Sequence, residues 1–184
     1  MLCYLVRHGK DDDTIRGGWS NHGLTDIGMQ QVRELGKDLL NTKTNIHCIY
    51  SSDLERASET ASILAQYLNC PITFTSEFRE VNNGDLAGMK NEMANEKYPG
   101  LYWAALDYSE CYPNGESPEM FFKRIETAWT NFKKKVVENS ENVMLVTHGG
   151  VMEVILCIEN GIAFSNKRRY FSTPNARVIV VEIH

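Results

Sequence analysis

The 184-residue chain predicts an α/β fold, a three-layer sandwich with a mostly parallel central sheet and helices on both faces. Three observations carry this. Short apolar or alternating runs interleave with amphipathic helical patterns along the chain. The run Val143-Met144-Leu145-Val146 is apolar throughout, as in a strand covered on both faces. Three of the apparent strands end abruptly in polar turns, at Arg7-His8-Gly9, Ser51-Ser52-Asp53 and Thr147-His148-Gly149-Gly150.

Residues 2–6 read as the first strand. Thr25 is placed to cap a helix running to about Leu40, with Ile27, Val32, Leu35 and Leu39 on one face. His47 to Tyr50 reads as the second strand. Asp53 is placed to cap the next helix, whose apolar positions are Leu54, Ala57, Ala61, Leu64 and Leu68. Ile72 to Thr75 alternates as a third strand. A short helix is expected around 90–97, ended by Pro99-Gly100. Ser117-Pro118-Glu119 supplies a cap, an N1 proline and a first-turn acid, opening a helix to about Val137. After the strand at 143–146, a helix reaches Asn160 and stops at Gly161. Val178 to Ile183 is the last strand. The whole, 1–184, is expected to be one domain. The glycine- and aromatic-rich stretch at about 83–115 is expected to be an elaboration over the strand tips.

Composition narrows the partners. Hydrophobic residues make up 42% and charged residues 23%, an ordinary soluble balance. The net charge of -5 offers no global basic field for nucleic acid. No apolar run approaches a membrane span, and no signal segment is evident. Five cysteines without a Cys-x-x-Cys pair favour reduced thiols and a cytoplasmic setting. No feature sets an oligomeric state.

If the strands are parallel, the three polar turns share one sheet edge, where ligands of open α/β sheets bind. Arg7, Arg56, His8, His148 and the start of a helix would then converge. Arginine forks and helix N-terminal amides suit a tetrahedral anion. Two histidines exceed what binding needs. A neutral imidazole is a competent nucleophile, and nearby arginines disfavour its protonation. A second imidazole can stabilise charge on transferring phosphoryl oxygens. The leaving oxygen needs a proton donor, and Glu80 in Phe78-Arg79-Glu80-Val81 is the candidate. Asp11-Asp12-Asp13 with His8 and His22 has the residue types of a divalent metal site, but a solvated acidic loop is the preferred reading, so no metal or other cofactor is expected. Lys167-Arg168-Arg169 reads as a solvated face. Among the aromatics that flank the site in sequence, such as Phe78, Tyr102, Tyr108 and Tyr112, those on loops are candidate pocket walls. Arg16, Trp19 and Trp103 are the substrate-pocket residues of choice.

The pieces Leu5-Val6-Arg7-His8-Gly9, Leu24-Thr25 with Gly28, Ser51 to Ala57 with Thr60-Ala61, Glu80 with Gly84 and Gly88, Gly115-Glu116-Ser117, and Thr147 to Gly150 occur in that order. Together they resemble the histidine phosphatase superfamily in its phosphoglycerate mutase-like branch, over nearly the whole chain. The resemblance implies that His8 is phosphorylated, that Arg7, Arg56 and His148 bind the phosphoryl group, and that Gly149 adds a backbone N–H. Glu80 would be the general acid and then the base. Related sequences carry a Trp-Asn pair after Arg-His-Gly, whose Asn touches the phosphate. Here Thr14 stands at that spacing from His8, and Thr14 or Arg16 is the expected substitute.

The function expected is that of a metal-independent phosphatase acting on a small phosphorylated metabolite, with no nucleic-acid or membrane partner. A phosphoglycerate mutase-type transfer is the first alternative, although the middle region is short for it. A non-catalytic phosphate-binding module is the second.

Overall fold

The computed structural model describes residues 1–184. Its strands are β1 (Leu2–Arg7), β2 (Cys48–Ser52), β3 (Ile72–Thr75), β4 (Val143–Thr147) and β5 (Val178–Glu182). They form one sheet in the order β3-β2-β4-β1-β5. The first four strands in this order run parallel, and β5 pairs antiparallel with β1. The parallel pairs require crossovers, and helices supply them. These are α1 (Asp26–Asn41), α2 (Glu55–Leu68), α3 (Asn91–Lys97), α4 (Pro118–Asn139) and α5 (Gly149–Glu159). The chain is thus the three-layer α/β sandwich that its pattern predicts.

β4 lies between β2 and β1 and is buried at all five positions. Val143 and Leu145 face the α4–α5 side, packing with Phe121, Ile125, Trp129 and Ile155. Met144 and Val146 face the α1–α2 side, packing with Val32, Ala57, Ala61 and Leu64. This two-sided burial is why β4 shows no polar alternation. β1 divides likewise, with Cys3 and Leu5 toward α4–α5 and Val6 toward α1–α2.

Thr25 caps α1 by accepting the Gly28 amide at 3.1 Å, and its hydroxyl donates to the Lys10 carbonyl at 3.0 Å. Ser117 caps α4 by accepting the Met120 amide, with Pro118 opening the helix. Two expectations need correction. Asp53 does not cap α2, which opens without a side-chain cap; its carboxylate makes two 2.6 Å bonds with Arg79 instead. Ile27 is 59% exposed, because α1 turns Gly28 and Gly36 inward beside Val32 and Leu39. Those glycines let the helix approach closely: Gly28 faces the Lys10 backbone and Gly36 the Tyr67 ring.

The 83–115 segment contains a 3₁₀ turn at Gly84–Leu86, α3, and a small cluster of Leu86, Leu106 and Tyr112. Asn166 fastens it by donating to the carbonyls of Trp103 and Leu106 at 2.8 and 2.9 Å. No helix is long and apolar enough to cross a membrane. Cys3 and Cys157 are buried, and all five cysteines are free thiols.

A Cβ at Gly28 would collide with the Lys10 backbone, which cannot yield as a flexible side chain could. Gly28→Ala is expected to cost about 1–3 kcal/mol of stability, read as a lower denaturation midpoint. An unchanged midpoint would contradict this packing of α1 against the loop after His8.

Candidate active site

The register pairs Arg7 with Thr147, and the ladder continues one residue further as the His8 amide donates to the Thr147 carbonyl at 3.0 Å. His8 and His148 therefore leave neighbouring strand tips together. Their ring centroids are 5.1 Å apart. His8 is 3% exposed, and its Nδ1 lies 2.7 Å from the Gly9 carbonyl. A carbonyl only accepts, so Nδ1 carries the proton and Nε2 keeps the lone pair. Burial pushes the His8 pKa well below 6.5, and the Arg56 and Arg7 charges push the same way. The loop that aims the ring is fixed from several sides. Thr60 on α2 accepts the Gly9 amide at 3.1 Å, and Asn175 donates to the carbonyls of His8 and Gly9.

His148 is fully buried, with Nε2 2.8 Å from the Ser52 hydroxyl at the tip of β2. Ser52 Oγ also receives the Leu54 amide at 3.4 Å. A hydroxyl that already accepts is free to donate, and donation to Nε2 leaves the His148 proton on Nδ1. That Nδ1 is buried and has no protein partner. Burial holds the His148 pKa well below 6.5, with Arg56, His8, Arg7 and Arg124 adding to the effect.

Two arginines flank the rings. Arg7 donates to the Thr173 carbonyl at 3.0 Å and keeps a buried Nε without a partner. Arg56, 2% exposed, donates to the carbonyls of Gly18 and Ser20 at 2.8 and 3.3 Å. Its Nε makes an ion contact to Asp11 at 3.4 Å, without hydrogen-bond geometry. Gly149 opens α5 beside Arg7, since a Cβ there would lie about 3.5 Å from both Arg7 and Arg169. The hydroxyl of Thr173, beside the same point, is also buried and unpartnered.

Glu80 comes to the start of α5. One carboxylate oxygen accepts the Gly150 amide at 2.9 Å and the other the Val81 amide at 3.0 Å. A Cβ at Gly150 would displace the carboxylate from this position. The Glu80 carbonyl accepts from Trp19 Nε1 at 2.7 Å and from Arg124 at 3.1 Å. Arg124 on α4 also holds the carbonyls of Glu77 and Arg79 and both oxygens of Glu116. Thr147 donates to the Phe78 carbonyl at 2.8 Å, tying this loop to the tip of β4.

Arg7, His8, Arg56, Glu80, His148 and Gly149 thus come together at one sheet edge. Thr14 does not: it is exposed, and its amide and hydroxyl both donate to Asp12. Asp11, not Thr14, faces Arg56. Trp19 secures the Glu80 backbone through its indole N–H. Arg16 and Trp103 do line a cavity next to Gly150. Lys167, Arg168 and Arg169 are exposed, as a solvated face predicts, and they also border the same cavity. Phe78 belongs to the core and Tyr108 is exposed. The acids of the 11–13 triplet go to Arg56, Thr14 and Lys10 respectively. A larger cavity of about 620 Å³ between α1 and α2 contains none of the predicted site residues. Ser52, Arg124 and Thr173 were missed. Ser52 stands in the Ser51-Ser52-Asp53 tip motif, but its bond to His148 is non-local, as are the contacts of Arg124.

Orphaned buried donors are rare, and each costs about 1–3 kcal/mol. Here Arg7 Nε, Arg56 Nε, His148 Nδ1 and Thr173 Oγ1 are buried without a hydrogen-bond partner, and the His148 ring and both arginine charges lie close to His8, whose lone pair is available. Such a set can bind a tetrahedral oxyanion and attack its central atom, with a carboxyl group beside it to carry a proton.

The family model for the histidine phosphatase superfamily (branch 1) matches residues 3–184, and the chain belongs to that superfamily. The chain is 31% identical over 158 residues to the metal-independent phosphoserine phosphatase of Arabidopsis thaliana, covering 82% of this chain and 65% of that one. It is 29% identical over 166 residues to the 2,3-bisphosphoglycerate-dependent phosphoglycerate mutase of Parvibaculum lavamentivorans, covering 84% and 78%. The α-ribazole phosphatase of Shigella flexneri shares its fold with a TM-score of 0.83 at 24% identity, over 100% of this chain and 91% of that one.

Both imidazoles are expected to be neutral at pH 6.5 and above in an NMR titration, because a lowered pKa means that the proton leaves at lower pH. Stability is expected to fall as pH drops below about 6.5, where the unfolded histidines take up protons first. Rings that are protonated in the folded protein at pH 6.5 would contradict the electrostatics described. Asp11→Asn removes a negative charge facing Arg56. Phosphate and vanadate should then inhibit about 5-fold more tightly, a change of about 1 kcal/mol. Unchanged or weaker inhibition would place Asp11 outside the anion site.

Proposed function

We propose that this member of the superfamily is a metal-independent phosphomonoesterase of small phosphorylated metabolites that works through a phosphohistidine on His8. The observation that carries this is the set of buried donors without hydrogen bonds on Arg7, Arg56 and His148, beside a neutral His8 whose Nδ1 is fixed on the Gly9 carbonyl.

In the first half-reaction, the His8 Nε2 lone pair forms the N–P bond as the ester P–O bond breaks. Arg7, Arg56, the His148 Nδ1–H and the Gly149 amide hold the three equatorial oxygens. The departing alkoxide takes a proton from the Glu80 carboxyl group, leaving a carboxylate. In the second, a water oxygen attacks phosphorus while Glu80 takes its proton. The P–N bond breaks, and its electron pair returns to Nε2. Inorganic phosphate and alcohol are the products, and both His8 and Glu80 end as they began. Neutral His8 suits this role, since an imidazolium has no lone pair to give. Glu80 is held by two amides at the start of α5 and placed by Trp19 and Arg124.

A mutase would share the first half and return the phosphoryl group to a substrate oxygen. The Parvibaculum relative keeps that reading in view. The compact 83–115 segment and the open cavity beside Gly150 favour water as acceptor. Free thiols at Cys3 and Cys157 fit a cytoplasmic setting.

His8→Ala is expected to lower aryl phosphate turnover at least about 1,000-fold while the circular dichroism spectrum stays native. Chelators should leave the wild-type rate unchanged, and vanadate should inhibit. Retained turnover in His8→Ala would remove the nucleophile, and loss of activity on chelation would favour metal-assisted hydrolysis. Label passing from substrate to 3-phosphoglycerate rather than to inorganic phosphate would favour the mutase.

A further inference from the structure

Of the three acids that follow the nucleophile loop, only Asp11 turns inward. Asp12 and Asp13 are exposed, the first bound by Thr14 and the second 3.3 Å from Lys10. Asp11 is partly buried, and its Oδ2 lies 3.4 Å from Arg56 Nε. Both terminal nitrogens of Arg56 are engaged by the carbonyls of Gly18 and Ser20, so its buried Nε–H is the donor left without a partner. The Asp11 contact lacks hydrogen-bond geometry and leaves that N–H with no acceptor. A phosphoryl oxygen that accepts it therefore comes to rest beside the Asp11 carboxylate.

The setting is shielded from water, since Arg56 is 2% and His8 3% exposed. Two anionic oxygens in contact there repel, and one proton held between them turns the repulsion into a hydrogen bond. The surrounding charges do not remove the conflict. Asp11 and Glu80 both act on Arg7 and on Arg56, and Arg169 acts on Arg7. Lys10 is turned to Asp13, and the His8 and His148 rings are neutral. The two guanidinium groups attract both oxygens and so draw them together. A dianionic phosphoryl group would set its charge against Asp11, whereas a monoanionic one brings an O–H for the carboxylate to accept.

We propose that Asp11 makes the enzyme select phosphomonoesters in their singly protonated form, with the proton lying between the Asp11 carboxylate and the phosphoryl oxygen held by Arg56 Nε. The proposal rests on the phosphatase reading above and names the ionic form of the substrate for it. The shared proton travels with the phosphoryl group onto His8 Nε2 and departs with inorganic phosphate as its monoanion. It is separate from the proton that Glu80 gives to the alkoxide and recovers from water.

The test is the pH dependence of kcat/KM for phenyl phosphate from about pH 6 to 9. Above about pH 7 the free ester is a dianion. Two protons must then come from solution, one for Glu80 and one for the Asp11–phosphoryl pair. On the alkaline limb, kcat/KM is expected to fall about 100-fold per pH unit in the wild type. Asp11→Asn and Asp11→Ser, whose neutral side chains tolerate a dianion, should fall only about 10-fold per unit and overtake the wild type as pH rises. A wild-type limb of about 10-fold per unit, or variants that keep the steeper limb, overturns the proposal while leaving the phosphatase reading intact. Absence of phenyl phosphate hydrolysis at every pH overturns both.

Discussion

The hydrogen bond from the His8 amide to the Thr147 carbonyl carries the β1–β4 ladder one residue beyond the paired strands. Parallel pairing at this register obliges both chains to leave the sheet at the same height and the same edge. His8 and His148 follow from it, with ring centroids 5.1 Å apart, and so do Arg7 before one histidine and the start of α5 after the other. β2 joins the same edge through its pairing with β4, bringing Ser52 to His148 and α2 with Arg56 behind it. A slip of one residue between β1 and β4 would turn every side chain of the slipped strand to the opposite face. The two-sided burial of β4 makes that slip costly, so the core on both faces of the sheet fixes the spacing of the reacting groups.

Electrostatics builds on that geometry. Two guanidinium groups beside two buried imidazoles would be a poor arrangement if the rings were charged. With both rings neutral, the same arrangement keeps a lone pair available on His8 and leaves Arg7, and Arg56 beyond its contact with Asp11, to attract an incoming anion. Second contacts choose the working atom of each ring: the Gly9 carbonyl frees Nε2 of His8, and Ser52 frees Nδ1–H of His148. The carboxylate side is built differently, on a loop. Arg124, Glu116, Trp19 and the Arg79–Asp53 pair give that loop the rigidity its lack of regular structure would otherwise deny.

The elements and the strand-tip residues were legible because they rest on local signals. Periodicity, caps such as Thr25 and Ser117, and tripeptides at strand ends are all short-range features. The misreadings share a physical cause, which is competition from distant partners. Asp53 has the chemistry of a cap, but Arg79 offers its carboxylate a bidentate partner. Ile27 fits the apolar period, yet Gly28 is what lets α1 reach the Lys10 backbone. Thr14 has the expected spacing from His8, but Asp12 binds its hydroxyl two residues away. Arg168 and Arg169 are exposed, as a charged run predicts, but the cavity that their loop borders rests on non-local contacts, in which Asn166 fastens Trp103 and Leu106 nearby.

The covalent step is where these observations meet, and it leaves a chemical trace. A rapid-quench experiment with a ³²P-labelled phosphomonoester, followed by peptide mass spectrometry under basic conditions, reads it directly. Transient label on His8 that is stable to base, is lost in acid and decays at the turnover rate is the predicted result. Steady turnover with no label on the protein, or with label on a residue other than His8, would contradict a phosphohistidine at the tip of β1.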